Sequence, residues 1–205
     1  MIKQHSSILC YNKINLNIPI VLIIGREPNN DSIGDGKMGL YDFDDHPRCG
    51  FWNMAFHLMN YYSTNQHGNN TNHTSSYKKI MRSKGCCPLV FTDTLTRGIK
   101  NSRSNKYTIR QCYENDFQKQ IEIIFKQKDL LNRVELVLLS GLEDDLYDKF
   151  KSQFELRWSK LYSAKPITCI KFLYGGNMGD IKSQIDSNQL VKNKIIEINN
   201  QYFKK

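Results

Sequence analysis

The chain has no paired CxxC spacing: its six cysteines, Cys10, Cys49, Cys86, Cys87, Cys112 and Cys169, are scattered. Structural zinc sites and four-cysteine iron–sulfur clusters are built from paired thiolates, so neither is expected, and no metal or organic cofactor is called for. GxGxxG and GxxxxGK-Ser/Thr phosphate loops are also missing, which weakens a reading as a nucleotide-processing enzyme acting on small molecules. Long apolar runs are absent too. The longest, Ile18 to Ile24, falls well short of the ~20 residues that cross a bilayer. No secretory leader is evident, so the thiols are expected to be reduced, the setting cytoplasmic, and the Asn72-His73-Thr74 sequon incidental. Acidic residues are in deficit, 20 against 29 Lys and Arg, for a net charge of +9. That excess suits a polyanionic partner, because Lys and Arg neutralise phosphates and release condensed counterions. Solubility alone, or the Asn- and Lys-rich usage of an AT-rich genome, produces the same excess, so charge by itself does not choose.

What is present reads as one α/β domain spanning 1–205. Ile18 to Ile24 is a β-branched, uninterrupted apolar run ending at Gly25, the pattern of a strand buried on both faces. Pro88 to Leu95, Val134 to Ser140 and Ile167 to Leu173 repeat it. Between these runs the apolar spacing turns helical: Phe51, Ala55, Leu58 and Tyr62; then Tyr113, Phe117, Ile121, Ile124 and Phe125; then Leu146, Phe150, Phe154 and Trp158. Ile181, Ile185, Ile195 and Ile198 predict a C-terminal helix with a break near Asn188. Alternating strands and helices predict a three-layer α/β/α sandwich around a mainly parallel four-stranded sheet. Residues 63–76 are polar throughout and read as a mobile surface loop.

Ligands of open α/β sheets bind outside the carboxyl ends of the strands, where strand order reverses. Attention therefore falls on the segments that follow each strand. After the first comes Gly25-Arg26-Glu27-Pro28-Asn29, where glycine permits a sharp turn and proline fixes the backbone behind a carboxylate. A plain loop with a solvated Glu is the alternative. Further on the chain reads Asp45-His46-Pro47-Arg48-Cys49-Gly50-Phe51-Trp52, then Val90-Phe91-Thr92-Asp93-Thr94-Leu95-Thr96-Arg97, then Leu138-Leu139-Ser140-Gly141-Leu142. The last is Tyr174-Gly175-Gly176-Asn177-Met178-Gly179-Asp180. Arg97, Lys100, Arg103 and Lys106 cluster with small polar residues after the second strand, as backbone phosphate contact requires; elsewhere such a run is a solvated loop.

These segments resemble the uracil-DNA glycosylase superfamily, and most closely its mismatch-specific uracil/thymine-DNA glycosylase branch. In that branch a strand ends in Gly-x-Asn-Pro, and an aromatic residue precedes a His-Pro-x-x-x-Phe-Trp segment entering a helix. Both segments have counterparts here in the same order, and the likeness covers most of residues 18–180. The resemblance implies a monofunctional enzyme that flips a base out of DNA and hydrolyses its N-glycosidic bond, with DNA as partner, no membrane, and a monomer as the working unit. Carried over by position, the residue that handles water and oxocarbenium charge becomes Glu27, a departure, since the family has Asn or Asp there. Its longer side chain shifts the reach by about one bond. Phe43, with Tyr41 behind it, takes the base-stacking position, although core packing is the alternative for Phe43. Phe51 and Trp52 anchor the helix, and His46 caps local backbone. Gly25, Thr92 and Asp93 fall at the base-reading positions. A carboxylate accepts from the exocyclic amine of cytosine and repels the O4 of uracil. Capping a turn is the other role open to Asp93.

Asn177 would contact the departing base and Met178 the gap that extrusion leaves, with Arg97, Lys100 and Arg103 on phosphates. The last loop also departs from the family, because its proline and serine are missing; a simple glycine-rich turn is the competing reading. The expected substrate is uracil or mispaired thymine, or else a modified cytosine, including the hypermodified bases of phage DNA in antiviral defence. The contrasting class is a nucleic-acid-binding protein that keeps the fold and has lost the reaction.

Overall fold

Strands and helices alternate along the chain, as the apolar periodicity requires, and give an α/β fold. The computed structural model describes residues 9–10, 19–25, 58, 89–94, 106–141, 144–172 and 178–203. In chain order these are β1 (Leu9–Cys10), β2 (Ile20–Gly25), β3 (Leu89–Asp93), α1 (Lys106–Phe125), α2 (Lys128–Leu131), β4 (Val134–Ser140), α3 (Asp144–Leu161), β5 (Cys169–Phe172), α4 (Met178–Ser187) and α5 (Gln189–Phe203). The strands form one sheet in the order β1-β3-β2-β4-β5, in which β3, β2, β4 and β5 are parallel. The expectation of four strands needs correction. A fifth, β1, pairs antiparallel with the outer edge of β3, Leu9 opposite Phe91 and Cys10 opposite Val90. Two residues are too few to show an alternation, which is why the sequence does not reveal it.

The uninterrupted apolar runs are explained by burial on both faces. Ile20, Leu22 and Ile24 of β2, Val90 of β3, Val134, Val137 and Leu139 of β4 and Cys169 of β5 share one core cluster with α1 and α3. Those helices contribute their predicted stripes: Phe117, Ile121, Ile124 and Phe125 from α1, and Leu146, Phe150, Phe154 and Trp158 from α3. Phe150 meets Phe117 edge-on, ring centroids 5.2 Å apart, and lies 5.9 Å from Phe154. Val21, Ile23, Leu136 and Leu138 are equally buried yet lie outside that cluster, on the opposite face of the sheet. The helix α5 touches β4 and buries Val191, Ile195 and Ile198, which also stand outside the cluster. Of the predicted helix through Phe51 and Tyr62, only Leu58 falls among the described residues; it is helical and buried, and its carbonyl accepts from Asn199 Nδ2 at 3.0 Å.

Local chemistry sets the ends of these elements. The C-terminal helix breaks at Asn188 as expected, because the Asn188 side chain caps α5: its Oδ1 accepts from Val191 N at 3.2 Å. At the start of β4 the register slips, Ile20 facing Val134 and Val21 facing Leu136, so Glu135 bulges out of the ladder. Lys165 Nζ at 2.6 Å and Lys194 Nζ at 3.2 Å close on its carboxylate. The edge strand β5 is covered by α3: Glu155 Oε1 accepts from Cys169 N at 2.7 Å, and Tyr147 Oη donates to Cys169 O at 3.0 Å. Among the described residues, no helix is long and apolar enough to cross a membrane.

Candidate functional site

The chain passes from β2 to β3 on one side, then returns across β2 to lay β4 on the other. Strand order therefore reverses between β2 and β4, and the crevice of an open parallel sheet opens at the carboxyl ends there. The terminal residues at that place are Gly25 of β2, Asp93 of β3 and Ser140 of β4. Partners in a parallel ladder point to the same face. Gly25 faces Asp93, and carrying the Ile24–Leu139 pairing one residue further sets Ser140 beside Gly25. All three thus project from the face opposite the α1–α3 cluster.

Glycine at position 25 leaves room for its neighbour. A Cβ there would collide with Asp93 Oδ1, with Asp93 Cγ at 3.6 Å and Thr92 O at 3.7 Å close behind. The Asp93 carboxylate therefore leans across the end of β2, above a residue with no side chain, and is itself only 6% exposed. The backbone is pinned at the same point, where Thr94 N donates to Gly25 O at 2.9 Å. One strand over, Ser140 is 3% exposed and its Oγ has no hydrogen-bond partner among the described residues. Leaving a buried hydroxyl unpaired costs about 1–3 kcal/mol, which sets this one apart from the paired groups around it. The next residue, Gly141, takes φ 77, a left-handed conformation that turns the chain sharply off β4.

The base-reading residues expected from the sequence divide between the two faces. Gly25 and Asp93 are brought together. Thr92, one residue earlier, points the other way, where its Oγ1 accepts from Gln120 Nε2 of α1 at 2.9 Å inside the core. Alternation along a strand makes this separation unavoidable: Thr92 and Asp93 cannot both reach one ligand on one face. Met178 is the first residue of α4 instead of part of a preceding loop. Glu27, Tyr41, Phe43, Arg97, Lys100, Arg103 and Asn177 lie outside the described residues, as does 63–76.

Two polar residues have no role assigned from the sequence. Gln120 occupies a slot between Phe117 and Ile124 in an otherwise apolar stripe, and that interruption was a readable signal. Ser140 ends the apolar run of β4, where its meaning depends on Gly25 and Asp93, far away in sequence. Cys169 is a free cysteine at the start of β5, and burial pushes its thiol well above the ordinary range. Such a thiol stays protonated and is no nucleophile. Burial likewise raises Tyr147, whose ring has Lys151 Nζ at 5.7 Å and Lys171 Nζ at 5.8 Å. No group of three or more His, Cys, Asp or Glu suited to a metal ion occurs among the described residues.

The site so built sets a buried carboxyl group and a buried hydroxyl on one sheet face at the carboxyl edge. Compared with known proteins, the chain matches no family model, and no curated protein matches its sequence significantly.

Proposed function

We propose that this chain is a DNA glycosylase, a base-flipping hydrolase that cleaves an N-glycosidic bond and leaves an abasic site. The observation that carries the reading is the buried Asp93 carboxylate laid over side-chain-free Gly25 at the carboxyl edge, beside the point where strand order reverses. Glu27, the proposed acid, follows Gly25 by two residues in the sequence. The +9 charge supports a polyanionic substrate. The motif likeness in the sequence supports the reaction class.

In the proposed reaction, a water adds to the anomeric carbon as the bond to the base nitrogen breaks. The departing base keeps the bonding electron pair, with Asn177 donating to it, while Glu27 takes the proton of the water and stabilises oxocarbenium charge. Phe43 and Tyr41 stack on the everted base, and Arg97, Lys100 and Arg103 hold the backbone. Met178 fills the gap in the stack. The protein works as a monomer in the cytoplasm, without metal or cofactor.

The test is strand scission. Duplex and single-stranded oligonucleotides bearing uracil, mispaired thymine or modified cytosines are incubated with the protein and treated with hot alkali. Breaks are expected at one base class and are expected to vanish in Glu27→Gln. Binding without breaks on every substrate would instead identify a non-catalytic nucleic-acid binder, and undiminished cleavage by Glu27→Gln would remove the assigned mechanism.

A further inference from the structure

The carboxyl edge holds a second polar group that the reaction above does not use. Ser140 Oγ is buried and unpartnered among the described residues, on the same sheet face as Asp93, and only Gly25 stands between the two. We infer that Asp93 and Ser140 together read an exocyclic amino group on the ligand's ring, next to a ring nitrogen that accepts a hydrogen bond. This rests on the glycosylase reading for the kind of molecule that carries the ring, and it narrows the substrate to amino-bearing bases of the cytosine or adenine type.

The geometry is specific. Neighbouring strands lie about 4.8 Å apart. The Asp93 carboxylate does not stand over its own strand; Oδ1 leans to where a Gly25 side chain would be, one strand from Ser140. One acceptor therefore stands over the end of β2 and the other at the end of neighbouring β4, roughly one strand spacing apart. A planar –NH2 group opens its two N–H bonds by about 120°, and at ordinary hydrogen-bond lengths its acceptors stand about 5 Å apart. A ring carbonyl in the same place would set two lone pairs against a carboxylate that only accepts. The Ser140 hydroxyl also keeps its own proton after accepting from the amine, and the adjacent ring nitrogen is a suitable acceptor for it. Both reading groups, being last in their strands, are approached along the strand axis.

The unpaired hydroxyl makes the inference testable apart from catalysis. Removing a buried hydroxyl that has no partner does not weaken the free protein, whereas removing one that satisfies a structural hydrogen bond does. Short oligo-dT strands bearing one central cytosine, adenine or uracil are titrated against the wild-type protein, Ser140→Ala and Asp93→Asn. The cytosine or the adenine strand is expected to bind about tenfold more tightly than the uracil strand. Ser140→Ala is expected to lose about fivefold or more of that preference while its Tm stays unchanged or rises. Asp93→Asn is expected to abolish the preference. Equal binding of all three strands by the wild-type protein overturns the inference. So does a lowered Tm with unchanged binding in Ser140→Ala, the result expected of a hydroxyl bridged to the fold by structural water. Alkali treatment of the same strands separates the two claims. A retained amine preference, with no breaks here or on the mispaired-thymine and modified-cytosine oligonucleotides of the scission test, sustains the reader and removes the hydrolase, whereas breaks at uracil without any preference do the reverse.

Discussion

At the scale of single residues, the site turns on Gly25. The glycine and the carboxylate that needs it are far apart in sequence and become neighbours only through the β2–β3 ladder. Gly25→Ala should therefore cost about 1–3 kcal/mol, because the new methyl group meets Asp93 Oδ1 and a buried carboxylate has little room to swing away. Urea unfolding measures this loss. Asp93→Ala should cost less in the Gly25→Ala background than in wild type, giving a clear coupling energy in the double-mutant cycle. Additive losses would mean that the two positions do not share space. From the sequence, Gly25 was legible as the end of a strand and Asp93 as a base-reading candidate. Their contact was not legible, nor was the division of Thr92 from Asp93. That division follows from strand alternation once the register is known, since Thr92 turns to Gln120 while its neighbour turns to Gly25.

At the scale of elements, the bulge at Glu135 ties together β4, α5 and the segment leading into β5. Burial pushes the Glu135 carboxyl up, but hydrogen bonds and charge from Lys165 and Lys194 outweigh it, and the net shift is downward. A carboxylate with a depressed folded-state pKa contributes stability above its unfolded value, and that contribution is lost as pH falls through the folded value. Wild type should thus exceed Glu135→Gln in stability, by about 1 kcal/mol given the partial exposure of the network, at every pH above the ordinary carboxylate range. The gap should close below that range. Urea midpoints across acid pH measure it, and a gap independent of pH would contradict the assignment. Elements of this kind were largely readable in advance. β2 and β4 show as unbroken apolar runs because both their faces are buried, and α1 and α3 show as stripes because only one side is. The four-residue α2 and the two-residue β1 were not readable, since neither is long enough to express a period.

At the scale of the whole molecule, three polar or side-chain-free strand ends gather where the sheet reverses its order, in a protein with a net charge of +9. Order of strands is a long-range property that apolar periodicity does not encode, so alternation predicted a parallel sheet without locating the reversal between β2 and β4. Once that reversal is placed, Gly25, Asp93 and Ser140 become one site. The proposal that a nucleobase is received here is tested most directly by a crystal structure with an oligonucleotide whose target nucleotide carries a 2′-fluorine to slow hydrolysis. The account predicts a base turned out of the strand at the carboxyl ends of β2 and β4, its amino group within hydrogen-bond distance of Asp93 and Ser140. A base left in its stack, or bound at the amino end of the sheet, would contradict it.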